Sequence, residues 1–228
     1  MTSKPNTPTI LHAVGGLCNR LHAILSFRAE GPLLVRWDRD APIGYGTFAD
    51  AFEPIEGVRF VSHGRFDVEA FWADRGAPDW SLLKPNAQVR AQIARLEEPY
   101  AAIHVRRTDR TKQAKEQKDF TEDSEFLAWI DKLPEERAVY VATDNLETQT
   151  KFREWLRLRD REMLFAHGME LKGREVQDYA DPTRHSTLLH SVVDLFACVG
   201  AELFMGSGKL AYYSSFTGAI RALRAAKA

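Results

Sequence analysis

The chain has 228 residues, of which 44% are hydrophobic and 28% charged, and these values are ordinary for a globular protein of one large domain or two small ones. Its 31 basic and 32 acidic side chains give a formal net charge of −1, which offers no general field for a polyanion and argues against a nucleic acid as the main partner. The two cysteines, Cys18 and Cys198, suit a reducing compartment and form no metal-ligand pattern. No apolar run approaches the roughly 18 residues of a transmembrane helix, and the first residues lack the apolar core of a signal peptide. We therefore expect a cytoplasmic protein without a membrane-spanning segment.

The first half of the chain begins with a strand, a glycine pair and a helix. Alternation of apolar residues predicts a strand over residues 9–14, and helical spacing predicts a helix over residues 19–28. Gly15 and Gly16 lie between them, and a glycine turn at the start of a helix is a natural backbone cradle for a phosphate or a sugar. The pair lacks the third glycine of a dinucleotide fingerprint and the lysine of a P-loop. Taken alone, an ordinary tight turn is therefore the favoured explanation.

Aromatic residues are frequent in the rest of the first half. Short strands are predicted over residues 32–37 and 58–61, and aromatic side chains fall in and around them. These side chains either fill the core, which is the favoured interpretation, or line a surface that binds a sugar acceptor. The set comprises Trp37, Tyr45, Phe48, Phe52, Phe60, Phe66, Phe71, Trp72 and Trp80.

An irregular stretch over residues 76–85, with prolines at positions 78 and 85, is the predicted domain boundary. It divides the chain into an N-terminal domain, residues 1–85, and a C-terminal domain, residues 86–228. Strands and helices alternate in the C-terminal domain, which predicts a parallel, doubly wound sheet. The N-terminal domain shows a smaller version of the same pattern.

A buried strand in the middle of the chain ends in two adjacent arginines. Alternation places His104 and Arg106 on one face of this strand, and Arg107 follows where the strand ends. Guanidinium groups at the mouth of a buried strand are costly to desolvate unless an anion meets them, and their planar donors fit the oxygens of a phosphate. We interpret this strand end as the floor of a nucleotide site. The alternative is a structural ion pair between Arg106 and Asp109 or Asp144.

Polar groups also follow two other predicted strands, at residues 143–145 and 206–215. Ligands of parallel sheets gather beyond the carboxyl ends of the strands, so three strand ends point to one site. A helix predicted over residues 185–199 is apolar nearly all round and therefore buried, yet it contains Asp194. This buried carboxylate requires a partner, which is His190, a backbone amide or a donor on a ligand.

The polar residues that follow the two arginines, 110–121, are rich in lysine and have no apolar face. A solvated surface loop is the favoured interpretation of this stretch. The alternative is a flap that closes on the ligand.

Four stretches of the sequence together match the signatures of one known superfamily. Residues 104–109, His-Val-Arg-Arg-Thr-Asp, are similar to its first signature, and residues 139–144, Val-Tyr-Val-Ala-Thr-Asp, to its second. The third is matched by Asp194, Gly206 and the Ser-Ser-Phe of residues 214–216, and the opening glycine-rich turn by the Gly-Gly-Leu-Cys-Asn-Arg-Leu of residues 15–21. In these motifs the chain resembles the α1,2-, α1,6- and protein-O-fucosyltransferase superfamily, which includes the bacterial chitin-oligosaccharide fucosyltransferases.

The resemblance implies an α/β fold of the GT-B type, with two facing Rossmann-like domains of which the N-terminal, acceptor-side one is reduced in this short chain. It implies that the C-terminal domain binds GDP-fucose. The implied reaction is an inverting transfer of fucose to a hydroxyl of a glycan acceptor, with no metal ion and no other cofactor.

Arg106 carries the central role implied by the resemblance, because it would bind the diphosphate and stabilise the leaving GDP. Arg107 would support it or pair with an acid. No general base is evident, although Asp144 and Glu30 are possible. The remaining donor-binding set consists of His104 and Asp194 at the guanosine, Ser214, Ser215 and Phe216 at the diphosphate, Gly15, Gly16 and Asn19 from the other domain, and Asp144.

Two other interpretations stay open at the level of the sequence. The same fold serves donors other than GDP-fucose, so another nucleotide sugar is one alternative. A nucleotide- or glycan-binding protein without catalytic activity is the other, because a fold does not determine a function.

Overall fold

The first half of the chain forms a four-stranded parallel sheet with the strand order β3-β2-β1-β4. The computed structural model describes residues 9–37, 46–62, 64–71, 76–96, 99–107, 115–116, 118–166, 186–208 and 214–227. The elements of the first half are β1 (Thr9–Ala13), α1 (Leu17–Arg28), β2 (Leu33–Arg36), a 3₁₀ turn (Phe48–Asp50), β3 (Val58–Val61), β4 (Val68–Ala70), a second 3₁₀ turn (Trp80–Leu82) and α2 (Ala87–Ile93).

Strand β4 is an element that the sequence pattern did not predict. It is only three residues long and carries the exposed Glu69 at its centre, so it lacks a recognisable apolar run. Its pairing with β1 is nevertheless regular, with Leu11 opposite Val68 and Ala13 opposite Ala70.

The second half repeats this topology with the strand order β7-β6-β5-β8, again entirely parallel. The predicted α/β fold with two Rossmann-like sheets is confirmed. Its elements are β5 (Ala101–His104), α3 (Asp123–Ile130), β6 (Val139–Ala142), α4 (Leu146–Arg157), β7 (Met163–Leu164), α5 (Leu188–Gly200), β8 (Leu203–Gly206) and α6 (Ser215–Lys227). In both sheets the strand order reverses after the third strand, and ligands of open α/β sheets bind at such reversals.

Local sequence explains where the helices of the second half begin and end. Asn145 and Thr187 lie just before α4 and α5, and their side-chain oxygens accept hydrogen bonds from the first turns of these helices. At the other end of α5, the guanidinium of Arg224 donates to the carbonyls of Cys198 and Ala201. None of the helices in the described part of the chain has both the length and the apolar character needed to cross a membrane.

The crossover between β3 and β4 makes the first half the smaller one. In the second half the equivalent crossover, from β7 to β8, carries the buried helix α5. In the first half it consists of residues 62–67, which contain no helix among their described positions. The connection from β3 to β4 returns across the sheet to the other side of β1. Because such connections are right-handed, it must pass over the face of the sheet opposite to α1. There the ring of Phe66 lies 5.0 Å from that of His12, so a short loop replaces a covering helix.

The two halves share one hydrophobic core. Helices α5 and α6 of the second half pack against each other and against α1, α2 and the Trp80–Leu82 turn. One aromatic contact across this junction joins Phe52 to Phe196, with their ring centroids 6.4 Å apart. The far face of the second sheet, where Ile103 and Val105 point, forms a separate cluster with α3 and α4. His104 and Arg106 therefore lie on the side of the sheet that faces the first half.

Candidate active site

The candidate site lies at the carboxyl ends of β5 and β8, where the strand order of the second sheet reverses. Ser207 joins the two strand ends: its hydroxyl donates to the carbonyl of His104 at 2.9 Å and accepts from the backbone amide of Arg106 at 2.8 Å. Its own amide also donates to His104, at 2.8 Å. The backbone of Arg106 is thus fixed by Ser207, a buried serine that the sequence analysis did not single out.

The side chain of Arg106 lies close to the first turn of α1, which belongs to the other half of the protein. Burial raises the pKa of the Cys18 thiol to about 12, and the positive charges of Arg106 and Arg20 act in the opposite direction. Cys18 therefore remains a neutral thiol. The charge of Arg106, which belongs to the second half, thus acts on a residue in the first turn of α1 in the first half.

The first turn of α6 is fixed against the end of β5. Nδ1 of His104 is 2.8 Å from the hydroxyl oxygen of Thr217, and the imidazole stacks on the ring of Phe216 at 4.7 Å. The hydroxyl oxygen of Ser214 accepts from the amide of Thr217 at 3.3 Å, as a helix-capping residue does. The start of α6, including Ser215, consequently lies beside the strand end that carries Arg106. Amides at a helix start attract anions.

Arg107 faces away from Arg106 and is held by an acidic and aromatic cluster. Its Nε and Nη2 donate to Oδ1 of Asp123 at 3.0 and 2.6 Å, and Nη2 also donates to the carbonyl of Thr121 at 2.7 Å. The guanidinium lies 4.4 Å above the ring centroid of Phe120. Of the two roles implied for Arg107, pairing with an acid is thus the one for which the structure supplies a partner.

The end of the polar stretch after the arginines is buried, contrary to the favoured expectation of a solvated loop. Asp119, Phe120 and Thr121 are all buried, and the hydroxyl of Thr121 accepts from the amide of Gly208 at 3.0 Å. Residues 119–121 are held by hydrogen bonds of Thr121 and by the stack of Phe120 on Arg107, which leave no apolar periodicity in the sequence. Asp109, offered above as an ion-pair partner of Arg106, lies outside the described residues, as do residues 110–114.

Asp194 is buried between α5 and β6, and its partner is one that the sequence analysis did not name. The hydroxyl of Tyr140 donates to Oδ1 of Asp194 at 2.6 Å. Burial raises the pKa of Tyr140 well above its ordinary value, and the Asp194 charge adds to this, so the hydroxyl keeps its proton. Tyr140 precedes the end of β6 by two residues. The structure therefore places Asp194 inside the domain, below the strand ends where Arg106 lies.

The two possible general bases lie at opposite kinds of edge: Asp144 at the carboxyl edge of the second sheet, and Glu30 at the amino edge of the first sheet. Asp144 follows β6, the neighbour of β5, and is therefore at the same edge as Arg106. Glu30 lies beyond the end of α1, whose 12 residues span about 18 Å from the glycine turn. Glu30 is consequently too far from this edge to act on a substrate there.

The glycine turn of the first half lies at the reversal between β1 and β4. Gly15 has φ +87°, a left-handed conformation that favours glycine, and a Cβ at this position would lie 2.5 Å from the ring of Phe71. The side-chain amide nitrogen of Asn19 lies 3.5 Å from the same point. Gly16 precedes α1 with extended backbone. The turn thus has a steric requirement of its own.

The aromatic residues of the first half divide into two groups. The interpretation that they fill the core is confirmed for Trp37, Phe48, Phe52 and Trp80, which are all buried, and for Phe60, which is partly buried and packs on Phe48. Phe66 and Phe71 are instead 40% and 47% exposed. Tyr45 and Trp72 lie outside the described residues.

Two parallel Rossmann-like sheets, joined through helices α5 and α6, form a fold of the GT-B type. Solved structures of the protein O-fucosyltransferase POFUT1 are similar over nearly the whole chain. The structure of POFUT1 in complex with GDP-fucose has a TM-score of 0.58 and 13% identity, covering 98% of this chain and 96% of that one. The apo form has a TM-score of 0.57 and 13% identity, covering 99% and 97%. No protein-family model and no curated protein sequence matches the chain. At this identity the likeness shows the fold.

Proposed function

We propose that this protein is an inverting, metal-independent glycosyltransferase that transfers fucose from GDP-fucose to a glycan hydroxyl. The observation that carries the proposal is the position of Arg106. It lies at the strand reversal of the second sheet, beside the start of α6, and its charge reaches the first turn of α1. The similar fold of a protein solved with GDP-fucose supports this choice of donor.

In this proposal the diphosphate of the donor binds between Arg106 and the start of α6. The amides of Ser215 and Phe216 and the hydroxyl of Ser214 supply hydrogen bonds, and the guanidinium supplies a charge with a bidentate geometry. His104 and Asp194 are both buried and hydrogen-bonded within the protein. We infer that they support the guanosine side of the site from below, His104 through Thr217 and Asp194 through Tyr140.

The reaction breaks the bond between the anomeric carbon of fucose and the diphosphate oxygen, while the acceptor hydroxyl oxygen bonds to the opposite face of that carbon. Arg106 stabilises the negative charge that develops on the leaving GDP. Holding donor and acceptor in one cleft lowers the entropic cost of their encounter. Of the two acidic candidates, only Asp144 lies at the edge where the hydroxyl proton must leave.

The test is calorimetric titration with GDP, UDP and ADP, followed by assays of hydrolysis and transfer over a panel of nucleotide sugars. We expect GDP to bind most tightly and GDP-fucose to be the donor consumed. Replacing Arg106 with alanine should lower turnover by about 100- to 1,000-fold, the usual cost of removing one preorganised group that stabilises developing charge. The Arg106→Lys variant should recover only part of this loss, because an ammonium cannot bind two oxygens as a fork.

The matched control is Arg157→Ala. Arg157 is the last residue of α4, its side chain is 68% exposed, and the end of that helix lies away from the carboxyl edge of the sheet. It should leave both binding and turnover unchanged. Binding of UDP but not GDP would exclude GDP-fucose, and equal turnover in Arg106→Ala and wild type would exclude the mechanism. GDP binding without turnover of any donor would indicate a binding protein.

A further inference from the structure

Hydrogen bonds hold the backbone of Arg106 from both sides. On its amino side, the amide of Arg106 donates to the hydroxyl oxygen of Ser207 at 2.8 Å. On its carboxyl side, the carbonyl of Arg106 accepts from Nη1 of Arg107, also at 2.8 Å. Both peptide groups that flank the Arg106 side chain are therefore fixed.

The two residues that hold Arg106 are themselves joined through Thr121. The hydroxyl oxygen of Thr121 accepts from the amide of Gly208, which directly follows Ser207, at 3.0 Å. The carbonyl of Thr121 accepts from Nη2 of Arg107 at 2.7 Å. These contacts close a ring that runs from Arg106 through Ser207, Gly208, Thr121 and Arg107 back to Arg106. Thr121 thereby links the segment before α3 to the ends of both β5 and β8.

The ring is shielded from solvent. Ser207 and Thr121 are 1% and 2% exposed, and Gly208 is buried as well. Gly208 has φ +94°, a left-handed conformation that favours glycine, and in this conformation its amide reaches Thr121. A buried amide that loses its acceptor is costly because no water replaces the bond. Removal of the Thr121 hydroxyl should therefore make the backbone at Gly208 and Ser207 rearrange.

We propose that Thr121 is a positioning residue, which fixes the backbone of Arg106 through Gly208 and Ser207 on one side and through Arg107 on the other. Its effect on turnover rests on the proposed function, in which Arg106 stabilises the charge on the leaving GDP. A group with such a role must be held within about 0.5 Å of its productive position, and a misplacement of about 1 Å costs on the order of 100-fold in rate.

The test compares Thr121→Val, which keeps the branched shape without a hydroxyl, with Thr121→Ser, which keeps the hydroxyl. Turnover is followed as release of GDP from saturating GDP-fucose. We expect Thr121→Val to lower turnover about tenfold but to weaken GDP binding, measured by calorimetry, by no more than about threefold. The two effects differ because the developing charge of the transition state depends on the position of Arg106 more than the ground state does. Thr121→Ser should restore turnover to within about twofold of the wild type.

Amide hydrogen exchange of the protein without ligand, followed by NMR, measures the ring independently of activity. Thr121→Val should speed exchange about tenfold or more at the amides of Gly208 and Arg106, because the first loses its acceptor and the second depends on the adjacent Ser207. Thr121→Ser should keep both rates near those of the wild type. The amide of Ile103, within β5, should exchange at the same rate in all three proteins.

The matched control is Tyr100→Phe. Tyr100 is buried, and its hydroxyl donates to the carbonyl of Ala197 at 2.7 Å. This variant also loses one buried hydrogen bond between a hydroxyl and the backbone, but at the amino end of β5, about 20 Å along the extended chain from Arg106. It should lower the midpoint of thermal unfolding, as Thr121→Val does, and leave turnover and exchange at Arg106 unchanged. The comparison separates a loss of stability from a loss of position.

Four results would overturn the role of Thr121. These are unchanged exchange at Gly208 and Arg106 in Thr121→Val, normal turnover despite faster exchange, an equal loss of turnover in Thr121→Ser, and an equal loss in Tyr100→Phe. A wild-type protein that neither binds GDP nor consumes GDP-fucose would instead overturn the proposed function and, with it, the effect on turnover. The exchange rates would still decide whether Thr121 fixes the backbone of Arg106.

Discussion

Two neighbouring arginines in this protein have different surroundings because a strand turns successive side chains to opposite faces. Arg106 shares the face of His104 and reaches toward the first half, where it acts on Cys18. Arg107 points to the other side and is held by Asp123 and the ring of Phe120. Arg106 therefore lies on the side of the sheet that faces the first half, and Arg107 anchors the chain that leads into α3.

The anchor around Arg107 predicts a dependence of stability on pH. Burial by itself raises the pKa of Asp123, but hydrogen bonds from Lys151 and Arg107 outweigh it and hold the pKa below its ordinary value. A carboxyl group with a lowered folded-state pKa contributes stability above its unfolded pKa, near pH 4, and loses it as the pH falls through the folded value. At pH 7 we expect Asp123→Asn to lower the free energy of unfolding by about 1–2 kcal/mol, a modest value because solvent screens this partly exposed group.

Urea unfolding between pH 7 and pH 3 measures this effect, and the difference between wild type and Asp123→Asn should shrink as the pH falls. The control is Asp131→Asn. Arg159 also lowers the pKa of Asp131, but this carboxylate lies at the surface, so its loss should cost less. A wild-type advantage over Asp123→Asn that stays constant down to pH 3 would contradict the assignment.

At the scale of the elements, the site depends on how closely α6 approaches β8. A Cβ at Gly206 would lie 2.4 Å from Cγ2 and 2.8 Å from the hydroxyl oxygen of Thr217. The absence of a side chain at this strand end therefore allows the first turn of α6 to contact His104. The glycine of the third sequence motif has a packing role in addition to any role toward the donor.

Two glycine-to-alanine substitutions test this contact. Gly206→Ala should lower the free energy of unfolding by about 1–3 kcal/mol, the usual cost of overpacking, and should weaken GDP binding because α6 is displaced. Gly218→Ala lies in the same helix, where an added Cβ would meet no atom within 4 Å. It should raise the free energy of unfolding by about 0.5–1 kcal/mol, because alanine favours a helix more than glycine does.

Chemical denaturation of both variants, together with calorimetry of GDP binding, supplies the comparison. If Gly206→Ala were as stable as the wild type and bound GDP normally, α6 would not depend on close packing at this strand. A loss of stability in Gly218→Ala would show that the helix is sensitive to substitution in general.

At the scale of the whole molecule, the two sheets are bound together by helices that belong to only one of them. Helices α5 and α6 follow β7 and β8 in the second half, yet they cover the core of the first half as well. The β3–β4 crossover of the first sheet carries no helix among its described residues. Its stability therefore depends on the apolar surface supplied by the second half.

This shared core predicts that the protein unfolds in one step. We expect a single calorimetric transition, with the van't Hoff and calorimetric enthalpies in agreement. Residues 1–85 expressed alone should fail to fold, because separation exposes the apolar faces buried against α5 and α6. Two resolved transitions, or a folded fragment of residues 1–85, would contradict this expectation and show two independent domains.

The order of strands and helices, and the edge on which the candidate site lies, follow from the sequence alone. Apolar alternation identifies the central strands, and parallel strands bring their carboxyl ends to one edge, so Arg106, Asp144 and the start of α6 converge by topology. β4 was the exception, because three residues around the exposed Glu69 carry too little apolar pattern to recognise. The reduced size of the first half was likewise expected from chain length.

Only the tertiary structure decided which side chains meet within that edge. Ser207 bonds the amide of Arg106 across 101 positions, and Thr217 meets His104 across 113, separations over which no local pattern carries information. The tertiary structure also shows that Glu30 lies too far from the carboxyl edge to act as a base there. It shows that Tyr140 is a hydrogen-bond partner of Asp194 and that the ring of Phe71 packs on Gly15. Periodicity specifies the face and the end of a strand on which a residue lies. Partners across the sheet are selected by packing and hydrogen bonding, which exist only once the chain has folded.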